Sequence, residues 1–134
     1  MKKILTFALL AALAGTAAAA RVRSNGEPAR KMWEALNLMA KLEDLPLHTI
    51  DGNSDTIAVR SLTCASEMYD ACSMFVTVDG KEKLLVHLDA AGKIIDALYE
   101  NGIYPSEDDP SLSQSASRVS CTRANGKYDC LIQE

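Results

Sequence analysis

The chain lacks the sequence patterns that mark most catalytic and metal-binding proteins. Neither G-x-S-x-G, nor H-E-x-x-H, nor a phosphate-binding glycine loop occurs in its 134 residues, and it contains only 2 histidines. There is no C-x-x-C pair, and both histidines lie far in sequence from the cysteines, which disfavours a zinc site. We therefore expect no enzyme, no metal and no cofactor.

A long apolar run occurs only near the amino terminus. Residues 1–20 begin with two lysines, continue with an apolar run over 4–13 and end in an Ala-x-Ala pattern. These are the features of a cleaved signal peptide, and the run is shorter than the roughly 20 residues that a membrane span needs. We expect one domain over 21–134, periplasmic or secreted, with no membrane insertion after the signal is removed.

Basic residues are too few for a nucleic-acid-binding protein. The chain has 14 lysines and arginines against 18 aspartates and glutamates, and loss of residues 1–20 lowers the formal charge from -4 to -6. Phosphate recognition needs a dense basic face, so we expect no nucleic-acid partner. An acidic protein attracts cationic partners by long-range steering, which favours a protein partner such as a cationic secreted enzyme.

Four cysteines behind a secretion signal predict disulfides rather than a redox or metal site. The Asn-Gly pair at 125–126 is a strong hairpin signal, because a type I′ turn needs positive φ at both central residues. With that two-residue loop, Cys121 falls opposite Cys130 at a spacing that a disulfide accepts. Cys64 and Cys72 flank a similar turn. The sequence therefore predicts two hairpin disulfides, although the two other pairings stay open.

Two segments have the periodicity of a helix buried along one side. The first covers 28–45, and its apolar stripe includes Trp33. The second covers 81–101, where Asp79 resembles the first residue of a capping box. A Ser-, Pro- and acid-rich segment over 104–117 is predicted to be a loop.

Together these elements predict a tandem αββ repeat, with halves over about 25–79 and 80–134. The predicted fold class is α+β. Its simplest packing is a two-layer sandwich with a four-stranded antiparallel sheet and both helices on one face.

Alternation along the strands predicts which side chains the helices leave uncovered. The uncovered face would carry hydroxyl side chains together with Ile57, Val59, Phe75, Thr77 and Leu131. Such a face is unusually apolar, so we predict a surface that docks another protein, with Phe75 as anchor. One alternative stays open. A β-bulge near Arg60 and Ser61 would turn Ile57 and Val59 into the core.

The most concrete function for such a surface is inhibition of an extracytoplasmic enzyme. In its predicted architecture alone, the chain resembles the β-lactamase inhibitor proteins, and no residue is carried over from them. One alternative is an envelope scaffold or assembly subunit that forms a homodimer or joins a permanent partner. Another is a small enzyme that uses His48, His87 and loop carboxylates.

Oxygen-bearing side chains at 51, 53 and 55 are spaced like the start of a calcium loop. The glycine at the sixth position and the glutamate at the twelfth are both missing, so we predict a turn there.

Overall fold

In the described residues, seven antiparallel strands form one sheet, and two helices pack against one of its faces. The structure is a computed structural model that describes residues 21–65, 71–105 and 113–134, so the predicted signal peptide lies outside it. The elements are β1 (Arg21–Asn25), α1 (Gly26–Glu43), β2 (His48–Asp51), β3 (Ser54–Ala65), β4 (Ala71–Val78), β5 (Lys81–His87), α2 (Ala91–Glu100), β6 (Ser113–Ala124) and β7 (Lys127–Gln133). The sheet order is β1-β7-β6-β3-β4-β5, and β2 pairs with the first part of β3.

The predicted four-stranded sheet is wrong, and the second predicted helix is the main reason. Residues 81–87 form β5 instead, and α2 begins only at Ala91. Asp79 and Gly80 have φ of 54° and 78° and join β4 to β5 in a two-residue loop. An Asp-Gly pair favours this type of hairpin turn, so it is not a helix cap. The α+β class itself agrees with the structure.

The internal repeat has one more strand per half than predicted. The first half runs β1, α1, β3, β4, and the second runs β5, α2, β6, β7. Each leading strand pairs with the other half, β1 with β7 and β5 with β4, while β3 and β6 meet at the centre. The equivalent strands are β1 and β5, β3 and β6, and β4 and β7. Each pair lies at equal distances from the two edges of the sheet, so the sheet order is symmetric about its centre. In the described part of the chain, β2 has no counterpart.

The two predicted disulfides are confirmed, and they occupy equivalent positions in the two halves. Cys64 bonds to Cys72, and Cys121 bonds to Cys130. The Sγ atom of Cys130 lies 3.5 Å from the carbonyl oxygen of residue 29 in α1. The Sγ atom of Cys72 lies 3.9 Å from the carbonyl oxygen of residue 91 in α2. Each disulfide thus packs beneath the first turn of the helix that belongs to the other half.

The core lies between the helices and the sheet. As predicted, the apolar stripe of α1 is buried, including Trp33, which is 1% exposed. Asn101 links the two helices, because its Nδ2 donates to the carbonyl oxygen of Pro28 in α1, at 2.9 Å, and to that of Ala97 in α2, at 2.7 Å. The described helices include none long and apolar enough to span a membrane.

The predicted loop over 104–117 is too long at its carboxyl end. β6 already begins at Ser113, and Gln114 is buried with its Nε2 donating to the carbonyl oxygen of Ile103 at 2.7 Å. The sequence does not reveal the first part of this strand, because five of its six residues from 113 to 118 are polar. Only alternate residues there, such as Ala116, face the core. Residues 106–112, with their acidic run, lie outside the described residues.

A β-bulge at Ser61 decides which side chains of β3 face the helices. Ser61 has φ of 57°, and the register of β3 against β4 shifts between Arg60 and Leu62. A bulge adds one residue and so reverses the alternation on its far side. Ile57 and Val59 are consequently in the core, 0% and 2% exposed, and their predicted place on the uncovered face is wrong.

Candidate functional site

On the sheet face that the helices leave uncovered, the outer face, one row of side chains runs from β6 through β3 and β4 to β5. Antiparallel pairing places Arg118 of β6 opposite Arg60 of β3, and Arg60 opposite Phe75 of β4. Phe75 in turn lies opposite Leu84 of β5. The row therefore changes from basic at the centre of the sheet to apolar at one edge.

The apolar end of this row extends into a cluster of three neighbouring side chains, Phe75, Leu84 and Val86, which we call the outer patch. They are 40%, 53% and 61% exposed, whereas Met74 and Leu85, which point to the other face, are buried. A single exposed apolar residue is ordinary on a protein surface. Adjacent large ones that form one patch are typical of an interaction site.

The internal repeat shows that the fold does not require apolar residues at these positions. The two halves can be aligned on their disulfides, so that Cys72 corresponds to Cys130. In this alignment Phe75 corresponds to Gln133. The strand pairs β4–β5 and β7–β1 then match Leu84 with Arg21 and Val86 with Arg23. The same sheet positions are therefore polar in one half and apolar in the other. The fold therefore does not require apolar residues in the outer patch.

The predicted docking residues are only partly brought together. Phe75 and Thr77 are exposed on the outer face, and Leu131 lies half-buried on it, next to the other edge. Their role in docking stays a prediction. The sequence analysis does not identify Leu84 and Val86, because it predicts one helix over 81–101 where the structure has β5. The Asp-Gly pair at 79–80, followed by alternating side chains, was the signal that could have found them.

Beside the outer patch lies a cleft of about 440 Å³, lined by β2 and the loop before it and by β3, β4 and β6. We call it the arginine cleft. Its polar side chains are Arg60, Arg118, Thr49, Thr56, Thr77 and Ser120. Among the described residues, no acidic side chain lines it. Arg60 forms an ion pair with Glu82 outside the cleft, whereas Arg118 has no ion pair among the described residues.

A second polar cluster lies on the helix side of the sheet. The Nδ1 atom of His48 is 3.0 Å from the Asp55 carboxylate, and Nη2 of Arg123 donates to the same carboxylate at 3.1 Å. The Arg123 guanidinium stacks 4.8 Å from the Trp33 ring centre, and the His48 ring meets Trp33 edge to face at 5.3 Å. The contacts of this cluster join β2, β3 and β6 to α1.

The other candidate histidine also lies next to an acid. Nε2 of His87, at the end of β5, lies 2.7 Å from Oε2 of Glu43, the last residue of α1. This contact joins the edge of the sheet to the helix layer. In the part of the chain that is described, no three acidic, His or Cys side chains form a group that could hold a metal ion.

The calcium-like spacing belongs to a hairpin. Asp51 ends β2, and residues 52–53 form the two-residue loop to β3, with Gly52 at φ of 63°. Asp55 is buried against His48 and therefore does not face Asp51 across a shared cavity.

A further cavity, of about 550 Å³, lies where β1 meets α1. Two of its four charged side chains, Glu27 and Arg30, pair with each other, and the other two, Lys127 and Asp129, carry opposite charges. The hydrogen bond from Arg30 lowers the pKa of Glu27. This arrangement leaves little unmatched charge for a ligand, unlike the arginine cleft.

Comparisons with known proteins identify no family for this chain. No family model matches it, and no curated protein or solved structure matches it at a significant level.

Proposed function

We propose that this chain is a periplasmic or secreted protein-binding module that docks its partner on the outer patch. The observation that carries the proposal is the difference between the two halves of the repeat. Phe75, Leu84 and Val86 are exposed and apolar, and their equivalents are polar. Aromatic and large aliphatic side chains that lose contact with water supply much of the binding energy of protein interfaces.

The two disulfides support the compartment. Disulfides persist in oxidising environments and are rare in the cytosol. All four cysteines are paired, which leaves no thiol for catalysis or for a metal. A short domain with two cross-linked hairpins suits a binding surface that must keep its shape outside the cell.

The edge strand favours docking of a different protein on the face over pairing of two copies along the edge. Lys83 of β5 lies opposite the buried Val76, so it is on the core-facing side of the sheet. Its side chain is nevertheless exposed, because β5 is an edge strand. Charged side chains on the core-facing side of an edge strand are a common obstacle to edge-to-edge pairing. The outer face itself has no such obstacle over Leu84 and Val86.

Affinity capture from a native extracytoplasmic extract tests the proposal. The oxidised protein is immobilised in three forms: wild type, Leu84→Asp and Leu88→Asp. Leu88 is a matched control, because it is 62% exposed but follows β5 and is not part of the sheet. We expect wild type and Leu88→Asp to retain the same stoichiometric protein, and Leu84→Asp to lose it. If that protein is a hydrolase, titration with wild type shows whether docking inhibits it.

A folded Leu84→Asp variant that retains the same protein as wild type would exclude the outer patch as the docking surface. Retention of the chain's own copies alone, with a solution mass that rises with concentration, would indicate the scaffold alternative instead.

A further inference from the structure

We infer that the arginine cleft binds a carboxylate of the docked partner, so that the partner presents an acidic side chain next to a large apolar one. This inference rests on the proposed function, because it describes the partner of the same face. It assigns a ligand chemistry to Arg60 and Arg118, which the outer patch alone does not explain.

The first support is the unfavourable placement of the two arginines. Arg60 and Arg118 lie directly opposite each other in neighbouring strands, on the same face of the sheet. Like charges at directly opposed positions destabilise a sheet. Glu82 offsets the charge of Arg60 only, so the Arg118 guanidinium has no compensating acid in the described residues. An anion between the two guanidinium groups would remove this repulsion.

The second support is the local charge. Arg60, Arg118 and Glu82 together carry a formal charge of +1, and none of the described residues that line the cleft is acidic. A carboxylate neutralises this charge, whereas a phosphate dianion would exceed it. Arginine also matches a carboxylate geometrically, because its planar guanidinium can donate two parallel hydrogen bonds to the two oxygens.

The third support is the lining of the cleft. Thr77 and Ser120 offer hydroxyl donors beside the guanidinium groups, and Leu47 forms part of an apolar wall. Hydrogen bonds to a charged group are stronger where apolar walls reduce contact with water. A volume of about 440 Å³ is ample for one acidic side chain and the atoms next to it.

The fourth support is position. Thr77 belongs to the cleft and lies two residues from Phe75 on the same face of β4, so the cleft and the outer patch are parts of one surface. Arg60 lies opposite Phe75 in the register. The chain as a whole is acidic, with 18 acidic and 14 basic side chains, and this cleft is a local exception that selects an acidic group at short range.

Selection from a random peptide library on the immobilised oxidised protein tests this inference. Four forms are compared: wild type, Arg118→Gln, Leu84→Asp and Arg23→Gln. Arg23 is the matched control, because it is an exposed arginine of the same face that lies opposite Leu131 and away from the cleft. We expect wild type and Arg23→Gln to enrich peptides in which Asp or Glu stands close to a large apolar residue.

On Arg118→Gln, the preference for the acid should disappear while the preference for the apolar residue remains. For an enriched peptide, changing its acid to the amide should weaken binding to wild type about ten- to hundredfold, since hydrogen bonds between charged groups are strong. The same change should have little effect on binding to Arg118→Gln.

Enrichment of apolar peptides without an acid on wild type would overturn this inference and leave the docking surface intact. An acid preference that persists on Arg118→Gln would also overturn it. If wild type enriches nothing beyond what Leu84→Asp enriches, the docking surface itself is wrong, and the carboxylate site falls with it.

Discussion

Arg60 and Arg118 face each other across the central strand pair of the sheet, β3 with β6, and only Arg60 has an acidic partner in the described residues. The boundary between the two halves of the repeat passes through this pair. On one side the row continues to Phe75 and Leu84, and on the other it continues to Gln133. The centre of this row is therefore basic, and of its two ends only the one on β4 and β5 is apolar.

Because Arg118 lies opposite Arg60, we predict that Arg118 does not stabilise the fold. We expect Arg118→Gln to leave the free energy of unfolding unchanged or to raise it by up to about 1 kcal/mol, because it removes a like-charge pair. Urea unfolding of Arg118→Gln and of the control Arg23→Gln measures the difference. A clear loss of stability in Arg118→Gln alone would show that this arginine has a structural role.

The bulge at Ser61 predicts an unusual preference for glycine within a strand. Ser61 has φ of 57°, a conformation that glycine adopts freely and that costs other residues about 1 kcal/mol or more. We expect Ser61→Gly to be neutral or stabilising and Ser61→Val to destabilise by about 1–2 kcal/mol. Thermal unfolding checks both.

Thr63 provides the control for that comparison, since it is exposed two residues further along β3 in ordinary strand geometry. Thr63→Val should change stability little, because valine suits a strand. Equal losses in Ser61→Val and Thr63→Val would contradict a special backbone requirement at the bulge.

The equivalent disulfides predict equal contributions to stability. Their cysteines are separated by 8 and 9 residues, and chain-entropy arithmetic gives about 2.6 kcal/mol for loops of this length. We expect the double variants Cys64→Ser with Cys72→Ser, and Cys121→Ser with Cys130→Ser, to lose similar free energies of unfolding. A negligible loss in one of them would show that the two halves differ in strain or in denatured-state structure.

Because the Asp55 carboxylate is buried, its replacement by an amide should lower the free energy of unfolding more than the same change at Asp51 in the same hairpin. Asp55→Asn leaves His48 and Arg123 without their acid, and we expect a loss of about 1–3 kcal/mol. Asp51→Asn, at an exposed position, should lose much less. The single tryptophan, Trp33, touches both His48 and Arg123 and reports unfolding by fluorescence. Similar losses of stability in the two variants would contradict a structural role for the contacts of Asp55 with His48 and Arg123.

Local signals in the sequence were sufficient for the hairpin disulfides and for α1. The turn at 125–126 fixes the register of β6 with β7, so Cys121 and Cys130 have to meet. The stripe of α1 has the helical period over eighteen residues, long enough to be unambiguous. The predicted outward direction of Ile57 and Val59 is wrong, because it assumes unbroken alternation along β3 and the bulge at Ser61 interrupts that alternation.

The parts that the sequence did not reveal depend on contacts between distant segments. Leu84, Leu85 and Val86 fit either a helix or a strand, and pairing with β4 decides between them. β1 is short and is held by β7, more than a hundred residues away. The arginine pair could not be found either, because Arg60 and Arg118 become neighbours only when β3 meets β6.

The central claim, that a partner protein docks on the outer patch, is tested most directly by site-specific photo-cross-linking. A photoreactive benzophenone side chain is placed at Leu84 in one protein and at Leu42 in another. Leu42 is 45% exposed but belongs to α1, on the opposite layer. With the captured partner present, we predict a covalent adduct from position 84 and none from position 42. An adduct from position 42 alone would contradict docking on the outer patch.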